Sequence, residues 1–132
     1  MFKFVRDEGG SFVPEIKQMP STASVTYKNG DALVLSGGGL AKAGATAKPQ
    51  YICAEDYVAP ATGQKNISVY PVLEGFEFDT TFAADGSSIK VGDKVTIHTD
   101  SAQVTATTAS GVFTVLEKLG SGELGTAVRG KF

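Results

Sequence analysis

The chain has no tryptophan, one cysteine and one histidine among its 132 residues. With Cys53 alone an internal disulfide cannot form. One Cys and one distant His (His98) cannot build a zinc cage of nitrogen and sulfur ligands. No apolar run approaches the ~20 residues that a membrane-spanning helix needs, and no segment sustains a helical periodicity, so little helix is expected. Basic excess is also missing: 12 Lys and Arg face 14 Asp and Glu, a formal net charge of −2. Nucleic-acid binding draws on clustered cations that displace counterions from phosphates, and here Lys and Arg stand singly. The N-terminal stretch Met1–Glu8 carries acids and lacks a continuous apolar core, unlike a signal peptide. The chain is therefore expected to be made in a cytoplasm and to stay soluble, away from membranes and nucleic acid.

What is present points to β-structure. Hydrophobic residues make up 42% and charged residues 20%, ordinary values for one globular domain with one real core. Glycine is abundant at 16 residues, and Val, Ile and Thr recur in short clusters, a composition that favours short strands and tight turns. Cys53 lies in the apolar run Tyr51–Ala54 and reads as a small buried hydrophobe.

Residues 1–22 differ from the rest. Pro14 and Pro20 each remove a backbone donor and bias the preceding residue towards extended geometry. This stretch reads as an extended arm holding one short strand at most. Its apolar residues Phe2, Phe4, Phe12, Val13 and Ile16 need cover, either from the chain's own strands or from a partner. Residues 23–132 form the expected single β-domain.

Within that domain apolar residues alternate. Val25 and Tyr27 share one face of a strand; Asn29-Gly30 follows, a dipeptide suited to a type I′ hairpin turn. Ala32–Leu35 is the next strand, Ser36–Gly39 a second turn and Leu40–Ala43 a return strand. An internal repeat then emerges. Gly30–Leu35 matches Gly92–Ile97, and the same displacement along the chain carries Tyr51–Glu55 onto Phe113–Glu117. A looser echo places Ile67–Tyr70 on Thr126–Arg129. The units so defined, about 23–72 and 86–132, would each be marginal alone. Closed on each other as a small β-barrel or β-sandwich, they bury both apolar faces and their strand edges. In both, Gly (Gly30, Gly92) supplies a positive φ and Asp (Asp31, Asp93) bonds back to the turn. These are structural turns.

Chemistry has few places to reside. His98, Asp100 and Ser101 invite a triad, yet neighbours on a strand point to opposite faces and no Gly-x-Ser-x-Gly elbow is present. Asp79, Asp85 and Asp93 are too dispersed for an EF-hand. Gly37–Gly39 leads into no Lys-Ser/Thr pair or helix, so it is no phosphate cradle. No catalytic, cofactor-binding or metal-binding residue is expected, and an enzyme would need a convergent nucleophile, base and orienter.

The pattern resembles the small head-decoration, or capsid cement, proteins of tailed bacteriophages and prophages. It does so through the Pro- and Ser-Thr-Ala-bearing N-terminal segment (Met19–Ala23), the Gly-Asp strand Gly30–Leu35, the return Leu40–Ala43, the second Gly-Asp strand Gly92–Ile97 and the closing stretch Ser110–Arg129. The resemblance covers nearly the whole chain in short motifs; the linker 74–90 matches nothing in it. It implies a structural role on the exterior of a virion, as a homotrimer that clamps the major capsid protein and stabilises the head. It also implies that the arm residues Phe2, Phe4, Phe12, Val13 and Ile16 lie on the capsid. The other reading of the same strands is a ligand-binding or carrier-type barrel. Such carriers present a modified lysine at a hairpin tip, whereas Lys28 precedes its turn and lacks their Met or Asp neighbour.

Overall fold

In the computed structural model, residues 1–9 and 14–132 are described. Twelve strands and no helix occur among them. In chain order they are β1 (Lys3–Asp7), β2 (Lys17–Pro20), β3 (Thr26–Tyr27), β4 (Ala32–Ser36), β5 (Gly39–Lys42), β6 (Tyr51–Cys53), β7 (Tyr57–Val58), β8 (Asn66–Pro71), β9 (Phe76–Thr81), β10 (Lys94–Val95), β11 (Phe113–Lys118) and β12 (Ala127–Lys131). They form three antiparallel sheets, ordered β2-β8-β6-β4-β5, β1-β9-β12-β11-β10 and β3-β7. The expected all-β fold is what forms. The sheets do not close into a barrel: a single parallel bridge, Ser21 to Leu40, links the two ends of the first sheet.

The repeat is real and larger than the sequence pattern suggests. Ala32 pairs with Ile52 and Leu33 with Tyr51; at the repeat-equivalent positions, Lys94 pairs with Thr114 and Val95 with Phe113. The turns match atom for atom. The Lys28 N–H donates to the Asp31 carboxylate at 2.9 Å, and the Lys90 N–H to that of Asp93 at 2.9 Å. Gly30 and Gly92 have φ of 90° and 95°. In each turn the Asp N–H returns to the Lys carbonyl at 3.0 Å, so positive φ falls on the second central residue only, as in a type II turn. The expected type I′ hairpin at Asn29-Gly30 is thus absent, and β3 pairs with β7 instead of β4. Gly37 and Gly38, both at positive φ, make the tight turn between β4 and β5.

The first strand of each unit lies outside the expected boundaries. Met19 of β2 pairs with Ile67, and in the second unit Thr80 of β9 pairs with Val128 in the same way. The Ser21–Leu40 bridge has its counterpart in Phe82–Val104. The units therefore run from 17 to 71 and from 76 to 131, taking one strand from the expected arm and one from the expected linker. The echo of Ile67–Tyr70 finds the right strand, β12, but in a shifted register.

Two apolar clusters hold this together. Leu33, Leu40, Cys53, Ile67 and Val69 pack with Tyr27 inside the first unit. Phe78, Phe82, Val95, Phe113, Val115 and Val128 fill the second, joined by Ala32 and Ile52 from the other face of the first sheet. Alternation along β4 and β6 thus sends neighbouring residues into different cores. The second unit's hairpin, closed by Ile97–Val104, is longer than its counterpart closed by Leu35–Leu40. It reaches the first unit: the Ala32 N–H donates to the Ser101 carbonyl at 2.7 Å and the Ile97 N–H to that of Ala45 at 3.0 Å.

Candidate interaction surface

The residues expected on a partner separate into three groups. Phe2 is 1% exposed; its ring packs against Phe113 and Phe132 at centroid distances of 5.7 and 5.1 Å. Phe4 is half-buried, edge-on to Phe76, Phe78 and Tyr70. These two belong to the chain's own core, because β1 is a strand of the second sheet, paired to β9 from Lys3–Asp79 to Asp7–Phe76. The Phe2 N–H also donates to the Gly30 carbonyl at 2.9 Å, tying this strand to the first turn. Phe12 and Val13 fall outside the described residues. Ile16 is open to solvent, at 54% exposure. The described parts of the segment 1–22 contribute an edge strand to each of two sheets, β1 and β2.

Ile16 leads into β2, and its neighbours' backbone directions are fixed by register. The Ala54 N–H donates to the Ser68 carbonyl, so Ser68 faces β6 while Ile67 and Val69 face β2. Their partners Met19 and Lys17 then face β8, which turns the amides and carbonyls of Ile16 and Gln18 to the outer edge. Pro20 shares that outward parity, where its missing N–H costs nothing. Past Pro20 the edge meets β5 through the Ser21–Leu40 bridge, and at Ile16 and Gln18 no strand pairs with it among the described residues.

On the second unit the corresponding edge is closed and charged. Arg6 of β1 forks onto Glu77 of β9. Arg129 binds Asp79 at 2.8 and 3.0 Å, a two-pronged contact that raises its pKa above the ordinary arginine range. At the matching pair in the first unit, Gln18 donates to the Ser68 hydroxyl at 2.7 Å.

The turn residues serve architecture. Asp31 is buried, accepts from Lys28 and pairs with Lys42 at 3.0 Å. Asn29 donates its backbone N–H to the Asp56 carboxylate, and the Lys28 turn is no hairpin tip. His98, Asp100 and Ser101 form a capped loop. The Asp100 carboxylate accepts the N–H groups of Ala102 and Gln103, and the buried Ser101 hydroxyl donates to the Ala43 carbonyl at 2.9 Å. Cys53 is buried in the first core, and burial pushes its thiol pKa up. Among the described residues no three His, Cys, Asp or Glu side chains converge as a metal site would require.

Two further surface features escaped the sequence pattern. A half-open cleft of about 460 Å³ lies along the β10-β11-β12 rows, with Lys48, Lys94, Lys131 and Glu74 on its walls. Lys131 is already paired with Glu8 at 3.1 Å. Val58, Val91 and Leu124, each about 70% exposed, stand on separate strands and loops. Only cross-strand register could have revealed the cleft, and the sequence motifs carry none across so long a stretch.

No known family's sequence profile matches the chain, and no curated protein does. Among solved structures, the crystal structure of the head fiber gp8.5 N base in bacteriophage phi29 superposes with a TM-score of 0.59 at 18% identity, covering 89% of this chain and 94% of that one. The likeness is one of fold, and it spans both units: the chain has the fold of a phage head-fibre base.

Proposed function

We propose that this chain is a structural protein of a phage or prophage head, which attaches to the outer surface of the capsid and stabilises it. The observation that carries the reading is the fold shared, over 89% of the chain, with a phage head-fibre base. The decoration-protein motifs of the sequence, read independently of that fold, support it. In this reading the protein works by binding and not by catalysis, as a homotrimer on the major capsid protein, carried on the virion after synthesis in the host cytoplasm. Many symmetric copies compensate for weak individual contacts by avidity.

The test is direct. Added to expanded, undecorated heads, the protein should bind in multiples of three copies and raise the temperature at which the heads disrupt. Heads that take up none, or that disrupt at an unchanged temperature when saturated, would refute the reading.

A further inference from the structure

The two units present the same strand edge in two states. In the second unit the outward amides and carbonyls of Glu77 and Asp79 are met by β1. At the equivalent positions of the first unit stand Ile16 and Gln18, whose backbone groups point the same way and meet no strand among the described residues. The side chains differ in a way that fits an outside partner. Where the second unit has Glu77, 5% exposed beneath Arg6, the first has Ile16 at 54%. Where it has the fully buried Phe78, roofed by Phe4, the first has the exposed cation Lys17.

We infer that the β2 edge at Ile16–Gln18 receives an extended segment of the coat subunit as an added antiparallel strand, in the place that β1 fills on the second unit. Strand addition draws affinity from main-chain hydrogen bonds and specificity from alternate side chains. Register assigns the segment an apolar residue against Ile16 on the outer face and a carboxylate opposite Lys17 on the inner face. Pro20, without an outward donor, ends the added ladder just beyond Gln18. The inference rests on the head-binding reading for the source of the segment.

Hydrogen exchange of the full chain, alone and on expanded undecorated heads of the phage that encodes it, tests this. Expected are fast exchange at Ile16 and Gln18 in the dilute free protein and at least tenfold slowing on heads. Gln18→Pro removes an outward N–H together with the exposed Gln18–Ser68 contact, and should weaken attachment tenfold or more relative to Gln18→Ala while melting with that variant; should it misfold, Ile16→Asp replaces it. Protection already complete in the dilute free chain would overturn the inference, as would protection that appears on concentrating the chain without heads, which would assign the edge to a second copy. Heads that bind the chain while Ile16 and Gln18 exchange freely, or that bind folded variants normally, would also overturn it. Absence of any binding would instead refute the head reading itself.

Discussion

The two units share strand order, turn geometry and pairing register, and differ in what closes the outer edge of their first strand. The second unit has β1 there, with Phe2 and Phe4 delivering aromatic cover to a core of Phe78, Phe82 and Phe113. The first has no such strand among the described residues, and its core is smaller and mostly aliphatic, around Leu33, Leu40, Ile67 and Val69. A topology can therefore be duplicated while its side chains diverge, provided that each edge finds its own cover. The largest effect should come from removing that cover. Phe2→Ala deletes a fully buried ring and should cost about 3–5 kcal/mol, read as a lower urea midpoint, whereas Ile16→Ala should change stability by less than about 0.5 kcal/mol. Equal losses would erase the distinction between the edges.

Much of this was legible before the structure, and the failures have physical causes. The Gly-Asp turns and the aromatic-led strands were readable because their constraints are local: positive φ at Gly30 and Gly92, and a carboxylate close in sequence to its donor. The Gly37-Gly38 hairpin was readable for the same reason. The alternation of Phe76 and Phe78 marked a strand, but the equivalence of β2 and β9 was missed because Lys17–Pro20 and Phe76–Thr81 share no residue pattern, and only their pairing to β8 and β12 makes them equivalent. Asn29-Gly30 misled because Asp31 captures the Lys28 N–H and Asn29 bonds to Asp56, contacts that favour a type II turn over a hairpin. For Phe2 and Phe4 the sequence allowed core and partner alike, since burial against the distant strand β9 has no local signature.

The two Asp turns offer a second comparison with a smaller effect. Asp31 is 2% exposed and holds both the Lys28 N–H and the Lys42 ammonium, while Asp93 holds the Lys90 N–H at the surface. Asp31→Ala should cost about 1.5–3 kcal/mol, since both contacts it loses are charge-assisted bonds to a buried carboxylate. Asp93→Ala should cost about 0.5–1 kcal/mol. Parallel thermal melts check the ratio; similar losses would mean that the turn alone, and not its burial, sets the energy.

A third difference is readable in pH. Tyr70 sits at the seam between the units, stacked on Phe78, and burial pushes its phenol up to about 12, offset in part by the backbone of Phe4. Its counterpart in the second unit is Lys131, at the rim of the cleft. Because the folded chain holds this proton more tightly than the unfolded chain, the contribution is complete below pH 10 and is lost as pH rises towards 12. The loss is on the order of 2 kcal/mol. Urea midpoints should fall across that window in the native chain and flatten in Tyr70→Phe; an unchanged slope would remove Tyr70 as the cause.

The smallest effect separates ionic from neutral versions of one contact. Asp79–Arg129 and Gln18–Ser68 occupy equivalent cross-strand positions, at 2.8 and 2.7 Å. The first is a charge-assisted fork on a half-buried face, and the second is a neutral bond in water. Asp79→Asn should lower stability by about 0.5–1 kcal/mol in dilute buffer, and the deficit should shrink as salt screens the pair in the native chain. Gln18→Ala should cost a few tenths of a kcal/mol and show no salt dependence, since no net charge is involved. Midpoints measured in low and high salt decide the matter. If both variants respond to salt alike, the two units are bound by the same physics at this row, and the contrast between a sealed, charged edge and an open, neutral one would have to rest on β1 alone.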